Sequence, residues 1–429
     1  MHRILQSTNP ASFGPLLVTV NSRHRSAARS TRRIVGRWRD VTTDARIVRS
    51  TTGESMGRPA RAILTAVLAC SLAALAACAP PIQPTPPTTC GSDDIGIAAG
   101  APLMYLPDTE LDRELDAIRA VGARWLRVDI DWSVIEPNRG QQNWSIPDRV
   151  VDRARTRGLE VVGIIAYTPA WARVAGGADT HGYPADPAAF ATFSRQVAQR
   201  YSTRVSHWEI WNEPNLTGFF RPRADIGKYV ELLAAAAPAI KSVQPGARIL
   251  NGGLAPAVDD GTNISPVTYV QQLYARGAQQ YFDILSIHPY SYPALPNDAS
   301  TQSWNTFYRM RLMRDTMVQY GDAATPIWAT EFGAPTGTAS NAVSAQRQAD
   351  IIAAGIAEAR RLGWVQKVFV YSMRDRGTNQ ADVEQNFGLL YQNFTAKPSR
   401  AVVASAAQAC TTVSDSLEIT TAPAVDPVW

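Results

Sequence analysis

Histidine and cysteine are scarce in this chain, with five and four residues among 429. They do not recur at the spacings that build zinc or other metal sites. The sequence also lacks a glycine-rich phosphate loop and the G-x-S-x-G motif of serine enzymes. One uncharged run, residues 62–77, has sixteen residues, fewer than the ~20 that a membrane-spanning helix needs. These absences argue against metal, nucleotide-phosphate and serine-nucleophile chemistry.

Negative charge is sparse at the front of the chain. Residues 1–77 hold twelve Arg and three acidic residues, a net charge of +9, whereas the whole chain has a net charge of +5. The remaining residues therefore carry a net charge of −4. The body has no basic surface of the kind that binds nucleic acid, so no nucleic-acid partner is expected.

The basic front end has the organisation of an export signal. Arg58 and Arg61 precede the uncharged run, as the charged region precedes the apolar region of a secretory signal peptide. The sequence Leu-Ala-Ala-Cys that ends at Cys78 resembles the lipobox of bacterial lipoproteins, in which the cysteine is lipidated and becomes the new N-terminus. Residues 56–77 are therefore predicted to be a lipoprotein signal peptide. A buried helix or an uncleaved anchor is the alternative.

This prediction divides the chain into segments. Residues 1–55 are predicted to be disordered or untranslated, with the true start at Met56. Residues 78–90 start with the lipidated cysteine and continue as a Pro-rich linker, which favours a stiff polyproline II spacer. Residues 91–412 form the folded body, and 413–429 form a tail. The expected location is the cell envelope, lipid-anchored to the outer face of the bacterial cytoplasmic membrane, or secreted.

Short apolar runs alternate with amphipathic segments along the body. Eight runs have the length of buried strands: 95–99, 125–130, 161–166, 206–211, 248–254, 284–287, 326–330 and 368–371. Helical periodicity follows each: 111–121, 146–157, 187–201, 226–243, 267–280, 304–320, 344–362 and 399–409. Eight such pairs predict an α/β fold, a single (β/α)8 TIM barrel, in preference to a doubly wound sheet. In this fold, chemistry lies at the carboxyl ends of the strands.

Two cysteines remain in the exported part, and their positions predict a disulfide. Cys90 precedes the first strand and Cys410 ends the last helix, so a closed barrel brings them close together. An even number of cysteines in an exported protein favours a disulfide over two free thiols, which is the alternative.

A carboxylate closes the fourth apolar run and another closes the seventh. Glu213 follows Trp-Glu-Ile-Trp-Asn, and Glu331 follows Trp-Ala-Thr. Two carboxylates facing each other across a barrel mouth are what glycosidic cleavage needs, one protonated to assist the leaving oxygen and one ionised to attack the anomeric carbon. A single Glu at a strand end is more often solvated or ion-paired, but the pair together favours catalysis.

These motifs resemble clan A, the 4/7 superfamily of glycoside hydrolases, most closely family 39 and next family 5. The resemblance covers residues 95 to about 409. It implies a retaining glycoside hydrolase without a cofactor that cleaves a β-linked glycan by double displacement, with Glu213 as acid/base and Glu331 as nucleophile. It also implies substrate-binding roles, namely Arg127 supporting the nucleophile, Asn212 binding the sugar 2-hydroxyl, and His288 and Tyr290 lining the same subsite.

Aromatic residues near strand ends are candidate surfaces for stacking sugar rings, although core packing is the commoner role of any single Trp. The candidates are Trp132, Trp171, Trp211 and Trp328, and Trp171 is preferred because its loop is expected to be exposed. The resembling superfamily carries Trp at the end of strand eight, where this chain has Tyr371. The next polar pair is Arg374 and Asp375, for which substrate binding by Asp375 and a surface ion pair are both open.

Three functions fit these observations. The first is the hydrolase, whose partner is an oligo- or polysaccharide. The second is a lipid-anchored solute-binding protein, which would need a doubly wound fold with a hinge and not two strand-end Glu residues. The third is a lipid-anchored barrel that binds glycans without cutting them or transfers sugars through the same intermediate. The sequence does not specify the sugar, the linkage or the oligomeric state.

Overall fold

The structure, a computed structural model, describes residues 88–90 and 93–412, with residues 88–90 and 410–412 as backbone only. The predicted segments that lie outside the described residues are 1–55, the signal peptide 56–77, Cys78 with most of the linker, and the tail 413–429. No helix in the described part has the length and apolar character that crossing a bilayer requires.

The strands of the described residues alternate with helices along the chain. They are β1 (Thr88–Cys90), β2 (Ile95–Ala98), β3 (Trp125–Asp131), β4 (Glu160–Ala166), β5 (His207–Asn212), β6 (Arg248–Gly253), β7 (Leu285–Ile287), β8 (Ile327–Phe332), β9 (Val365–Tyr371) and β10 (Cys410–Thr412). The predicted strands correspond to β2–β9, and most of their ends agree to within one or two residues.

Strands β2–β9 form one parallel sheet that closes into a barrel. Hydrogen-bonded neighbours follow the order β6-β5-β4-β3-β2-β9-β8-β7. Bridges from Leu250 to Ile284 and from Leu254 to Ile287 join the two edge strands, β6 and β7. The predicted (β/α)8 TIM barrel is confirmed, and the carboxyl ends of its strands meet at one mouth.

Helices cover the outside of the barrel. They are α1 (Asp108–Ala120), α2 (Trp132–Ile135), α3 (Ser145–Thr156), α4 (Pro187–Tyr201), α5 (Ile226–Lys241), α6 (Pro266–Ala275), α7 (Thr306–Gln319), α8 (Ala345–Leu362) and α9 (Pro398–Gln408). Six of them begin with a side chain that accepts a hydrogen bond from a first-turn backbone N–H: Asp131, Asp186, Asp225, Ser265, Asn305 and Ser344. The prediction missed α2, because four residues are too few to show helical periodicity.

Aromatic side chains fill the amino-terminal end of the barrel. The rings of Trp125 and Trp328 meet edge to face at 5.4 Å, and His207 stacks on Trp328 at 5.1 Å. The Lys367 ammonium lies 4.4 Å from the Trp125 ring centroid. Trp328 is the second residue of β8 and is buried. The hypothesis that Trp328 stacks a sugar is therefore wrong, since it packs at the end of the barrel opposite the mouth.

Strands β1 and β10 pair antiparallel outside the barrel sheet. Their register places Thr88 opposite Thr412 and Cys90 opposite Cys410. Residues directly opposite in an antiparallel pair have Cα atoms about 4.5–5.5 Å apart, and disulfides span about 4.4–6.8 Å. The backbone therefore brings the two cysteines within disulfide reach, and the bond itself stays a prediction.

Candidate active site

Arg127 is the centre of a buried network at the barrel mouth. It lies on β3 and points into the barrel, where its Nε and Nη2 donate to Glu209 at 2.6 and 3.0 Å. Its Nη1 donates to Glu331 Oε1 at 2.6 Å, and its Nη2 also donates to Asn212 Oδ1 at 2.9 Å. The charged partners raise the pKa of Arg127 further although burial opposes them, so the guanidinium stays charged. This one cation orients three residues from two other strands, β5 and β8.

Glu331 lies on β8 and is held by two donors. Besides the guanidinium of Arg127, the Tyr290 hydroxyl donates to its Oε2 at 2.9 Å. Burial raises the pKa of Glu331, and Arg127 and the Tyr290 hydroxyl oppose that shift. Each of the two oxygens thus has a fixed hydrogen bond to a group that favours the ionised form.

Glu213 has a different environment. Its Oε1 lies 2.9 Å from His288 Nδ1, and it has no Arg or Lys partner among the described residues. Burial raises the pKa of Glu213, and the neighbouring Glu331 raises it further, whereas His288 opposes both. Its backbone is left-handed, with φ of 49°, and so is that of Trp211, with φ of 73°. Non-glycine residues adopt this conformation when the surrounding structure imposes it.

His288 lies between the two carboxyl groups. Its Nδ1 is 2.9 Å from Glu213 Oε1 and 3.7 Å from Glu331 Oε2. Burial lowers the pKa of His288, so the ring is neutral near pH 7. Its contact with Glu213 needs one proton, which either group can supply. His288 Nε2 has no hydrogen-bond partner among the described residues.

Two glycines of β6 provide the space for this arrangement. A Cβ on Gly253 would overlap the His288 ring, and a Cβ on Gly252 would lie 2.8 Å from the carbonyl oxygens of Ile210 and Trp211. The Gly253 carbonyl also accepts the backbone N–H of Glu213 at 3.0 Å. Gly253 therefore positions both His288 and the peptide that carries Glu213. The sequence pattern did not indicate this residue, because a glycine contributes no side chain to a motif.

Glu209 is a second residue that the sequence analysis missed. It is fully buried on β5 and accepts hydrogen bonds from Arg127, from the Gly253 N–H at 2.7 Å and from Ser286 Oγ at 3.2 Å. Its signal was present, since an Arg inside one apolar run and a Glu inside another must pair when both runs are buried.

The mouth brings together six of the predicted residues: Arg127, Asn212, Glu213, His288, Tyr290 and Glu331. Tyr371 ends β9 as predicted, and it lies at the same mouth, where its hydroxyl is 3.4 Å from Glu384 and its ring centroid 5.1 Å from that of Phe387. Burial raises the pKa of Tyr371 well above 10, so the phenol stays neutral.

No hydrogen bond among the described residues joins the remaining Trp candidates to Glu213 or Glu331. Trp132 and Trp211 are buried in the hydrophobic core, so core packing describes them correctly. Trp171 is half-buried, its indole N–H donates to the Glu136 carbonyl at 2.9 Å, and the Arg139 guanidinium lies 4.7 Å from its ring centroid. Sugar stacking by Trp171 stays a prediction, and none of its described contacts reaches Glu213 or Glu331.

Both interpretations of Asp375 are wrong. Asp375 is buried, and its Oδ1 accepts from Lys397 Nζ at 2.7 Å and from the Gly388 N–H at 2.8 Å. Arg374 pairs with Glu110 and Glu114 and not with Asp375. Both residues therefore hold the loop after β9 in place and form neither a sugar contact nor a surface ion pair.

The geometry of the two carboxyl groups defines what the site can do. One oxygen each of Glu213 and Glu331 and one nitrogen of His288 lie within 4.8 Å of one another. Such a trio could also ligate a metal ion, but Arg127 already supplies a positive charge to Glu331. Retaining glycosidases have carboxyl groups about 5–5.5 Å apart, and inverting ones about 6.5–9.5 Å. The distance of at most 4.8 Å between one oxygen of Glu213 and one of Glu331 resembles the retaining separation more than the inverting one.

Known proteins resemble this chain in sequence pattern and in fold. The model of the family described as glycosyl hydrolases family 39 matches residues 188–407. Among solved structures, a family 39 glycoside hydrolase from Bacteroides cellulosilyticus WH2 aligns with a TM-score of 0.61 and 23% identity, covering 76% of this chain and 65% of that one. This chain therefore spans less than two thirds of that enzyme's length. No curated protein sequence matches the chain.

Two further structures share the fold. A monomeric beta-xylosidase from Caulobacter crescentus CB15 aligns with a TM-score of 0.57 and 18% identity, covering 75% of this chain and 68% of that one. A family 5, subfamily 18 protein from Streptomyces cattleya in complex with GlcNAc aligns with a TM-score of 0.56 and 20% identity, covering 74% and 80%. At these identities the alignments establish the barrel and leave the substrate open.

Proposed function

Because the chain belongs to glycosyl hydrolases family 39 and is a glycosidase, we propose that it cleaves a β-linked glycan with retention of configuration. In this proposal Glu213 is the general acid/base and Glu331 is the nucleophile. The observation that carries it is the pair of carboxyl groups within 4.8 Å whose surroundings differ, one bound to Arg127 and the other to a neutral His288.

The reaction proceeds in two displacements. Ionised Glu331 attacks the anomeric carbon as its bond to the leaving oxygen breaks, and that oxygen takes the proton of Glu213. The product of this step is a glycosyl ester of Glu331. A water then gives its proton to the Glu213 carboxylate, its oxygen bonds to the anomeric carbon, and the Glu331 carboxylate is released. Both carboxyl groups return to their starting states.

The neighbouring residues support these steps. Arg127 and Tyr290 orient Glu331 and favour its charge, and Asn212, whose Oδ1 accepts a hydrogen bond from Arg127, is proposed to bind the sugar 2-hydroxyl. His288 keeps Glu213 pointed toward Glu331. Burial favours the protonated form of Glu213 that the first displacement needs.

Product stereochemistry tests this proposal. The wild-type protein should release the β-anomer from a β-glycoside. NMR identifies the anomer that forms first, before mutarotation mixes the two. Glu331→Gly should abolish hydrolysis, and added azide should then give only the α-glycosyl azide, because azide occupies the position of the missing nucleophile. Glu213→Ala should spare substrates with good leaving groups, since these need little acid assistance. Release of the α-anomer from the β-glycoside would contradict the proposal.

Transfer of the sugar to an acceptor other than water uses the same intermediate. Product analysis with added oligosaccharide acceptors separates hydrolysis from transfer, and a barrel that binds glycans without cutting them would give neither product. Aryl β-glycosides and envelope polysaccharides are the substrates to compare, because the fold does not specify the sugar.

We also propose that Cys78 carries a lipid anchor at the cell envelope, on the basis of the sequence before it. The full-length protein should then partition with membranes, and Cys78→Ala should release it. An unchanged membrane fraction for this variant would contradict the anchor.

A disulfide between Cys90 and Cys410 is proposed for the exported body. The opposite positions of the two residues in the β1–β10 register support it. Peptide mapping by mass spectrometry without reduction should recover the two cysteine peptides as one cross-linked species, and free thiols at both positions would contradict the bond.

A further inference from the structure

Asp129 belongs to a column of side chains that β3 directs into the barrel. Successive residues of a strand alternate between its faces, so Trp125, Arg127, Asp129 and Asp131 share one side. Trp125 packs at the amino-terminal end of the barrel, and Arg127 donates a hydrogen bond to Glu331. At about 3.3 Å per residue, Asp129 lies about 6.6 Å further toward the mouth than Arg127. It therefore stands beside the space in which a substrate would meet Glu331.

The carboxyl group of Asp129 is not used by the fold. It is half-buried and has no hydrogen-bond or ion-pair partner among the described residues. Asp131, two residues further, is committed, because its Oδ1 accepts from the Ser133 N–H at 2.8 Å and caps α2. A partly buried carboxyl group without a hydrogen bond costs free energy, which a ligand hydroxyl would recover.

Charged neighbours define what Asp129 would accept. Burial raises the pKa of Asp129 to about 7, and Asp131, Glu331 and Glu209 raise it while Arg127 opposes them. The pKa of the Tyr167 phenol is also raised, by burial and then by Asp129 and Glu213. Asp129 thus lies within electrostatic reach of Glu331, and both Asp129 and Glu213 lie within reach of the Tyr167 phenol. Arg127 is the positive charge that acts on Asp129, but its guanidinium already pairs with Glu209 and Glu331.

A small cavity adjoins Asp129. It has a volume of about 20 Å³ and is lined by Asp129, Asp131, Met104, Tyr105, Ile135 and Pro147, among others. That volume suits one hydroxyl-sized or hydroxymethyl-sized group. Tyr105 is 56% exposed at its rim, where an aromatic face can pack against the C–H groups of a sugar. Apolar walls with a few polar groups are typical of ligand-binding sites.

We propose that Asp129 binds a hydroxyl group of the glycan and makes the mouth selective for neutral sugar units over uronic acids. This proposal rests on the proposed glycosidase function. A carboxyl group can accept hydrogen bonds from two adjacent sugar hydroxyls, as few neutral side chains can. A uronate in the same place would face Asp129, Glu331 and Glu209 with one shared cation, and like charges at short range repel strongly in a partly buried site.

The test compares neutral and acidic substrates with one leaving group. Values of kcat/KM for 4-nitrophenyl β-glucoside, β-galactoside, β-xyloside and β-glucuronide are measured for the wild type, Asp129→Asn and Asp129→Ala at about pH 8, above the pKa of about 7 of Asp129, where its carboxyl group is mostly ionised. Asp129→Ala should raise KM for the best neutral substrate about tenfold or more, because a hydrogen bond to a charged group contributes about 1.5–3 kcal/mol. Its kcat should change little. Asp129→Asn should reduce the preference for neutral over acidic substrate about tenfold.

Asp350→Asn is the matched control, since Asp350 is exposed on α8 and bonds only to Gln346 among the described residues. Calorimetric binding of the same glycosides is measured in parallel, and thermal unfolding checks that each variant folds. If Asp129→Ala disturbs the fold, Asp129→Asn still tests the role of the charge, because Asn has nearly the same shape as Asp. An unchanged KM in both variants, or glucuronide bound as tightly as the neutral sugars by the wild type, overturns the role of Asp129. Binding of neutral sugars without cleavage contradicts the hydrolase function alone.

Discussion

The two ends of the barrel are built from the same strands but hold different kinds of side chain. At the mouth, strands β3, β5 and β8 contribute Arg127, Glu209 and Glu331, which are charged and hydrogen-bonded to one another. At the amino-terminal end, β3 and β8 contribute Trp125 and Trp328, which pack as aromatic rings. On β3 and β8, the aromatic residue that packs in the core and the charged residue at the mouth are therefore only two or three positions apart.

Because of this difference, one end of each such strand contributes mainly to the stability of the fold and the other end to activity. The aromatic end buries large apolar surfaces, which is the main favourable contribution to folding. The mouth instead holds carboxyl groups whose burial opposes ionisation, and it keeps them because the reaction needs them. Substitutions at the two ends should therefore affect different measurements.

The largest effect is expected at the mouth. Glu331→Gln removes the nucleophile, and kcat/KM should fall on the order of 10⁴-fold or more. Since burial raises the pKa of Glu331 above that of an unfolded chain, the fold loses stability as the pH rises from the unfolded value to the raised pKa, and the loss persists above it. The Tm of Glu331→Gln at pH 7 should therefore equal or exceed that of the wild type. Steady-state kinetics and calorimetry measure the two quantities.

Glu160→Gln is the matched control, because Glu160 starts β4 at the opposite end and pairs with Arg155. It should keep wild-type activity. A Glu331→Gln variant with near-normal kcat/KM, or an equally inactive Glu160→Gln, would remove the distinction between the two ends.

The second effect is expected at the aromatic end. Trp328→Ala should lower the free energy of unfolding by about 3–5 kcal/mol, because it leaves a cavity against Trp125, His207 and Phe369. The folded fraction should retain its kcat. Trp328→Phe should cost less, since the indole N–H has no hydrogen-bond partner among the described residues. Denaturant unfolding and active-site-normalised kinetics test this, and a large loss of kcat in folded Trp328→Phe would show that the aromatic end reaches the chemistry.

Sequence patterns predicted the mouth better than the interior. The barrel and the pair Glu213 and Glu331 follow from strand-like runs that end in carboxylates, since parallel strands share one mouth. Glu209 and Asp375 were missed or misassigned because single residues next to a motif do not reveal their partners. Lys397, the partner of Asp375, comes 22 residues later and meets it only in the folded chain. Gly253 could not be recognised either, because the ring that it accommodates belongs to His288, 35 residues later and directly after β7.

A smaller effect is expected from the glycine that shapes the mouth. Gly253→Ala should displace the His288 ring from Glu213 and lower kcat about 10- to 100-fold, since small misplacements of catalytic groups cost about that much. The loss should be greatest for substrates with poor leaving groups, which depend on Glu213. Gly218→Ala is the matched control, because a Cβ there meets nothing within 4 Å. Equal activity of the two variants across leaving groups would contradict the positioning role of Gly253.

The smallest expected effect is a displacement of the pH profile. Activity needs Glu331 ionised and Glu213 protonated, so kcat/KM should rise and then fall with pH, the two limbs belonging to the coupled pair. The Tyr290 hydroxyl lowers the pKa of Glu331, so Tyr290→Phe should move the acid limb to higher pH. The shift should be about one unit, because a hydrogen bond to a charged group contributes about 1.5 kcal/mol or more and one unit corresponds to about 1.4 kcal/mol. His207→Gln is the control at the aromatic end, where burial lowers the pKa of His207 to about 4. If His207→Gln moved the acid limb and Tyr290→Phe did not, the limb would report a group at the amino-terminal end of the barrel. The assignment of the acid limb to Glu331 would then be wrong.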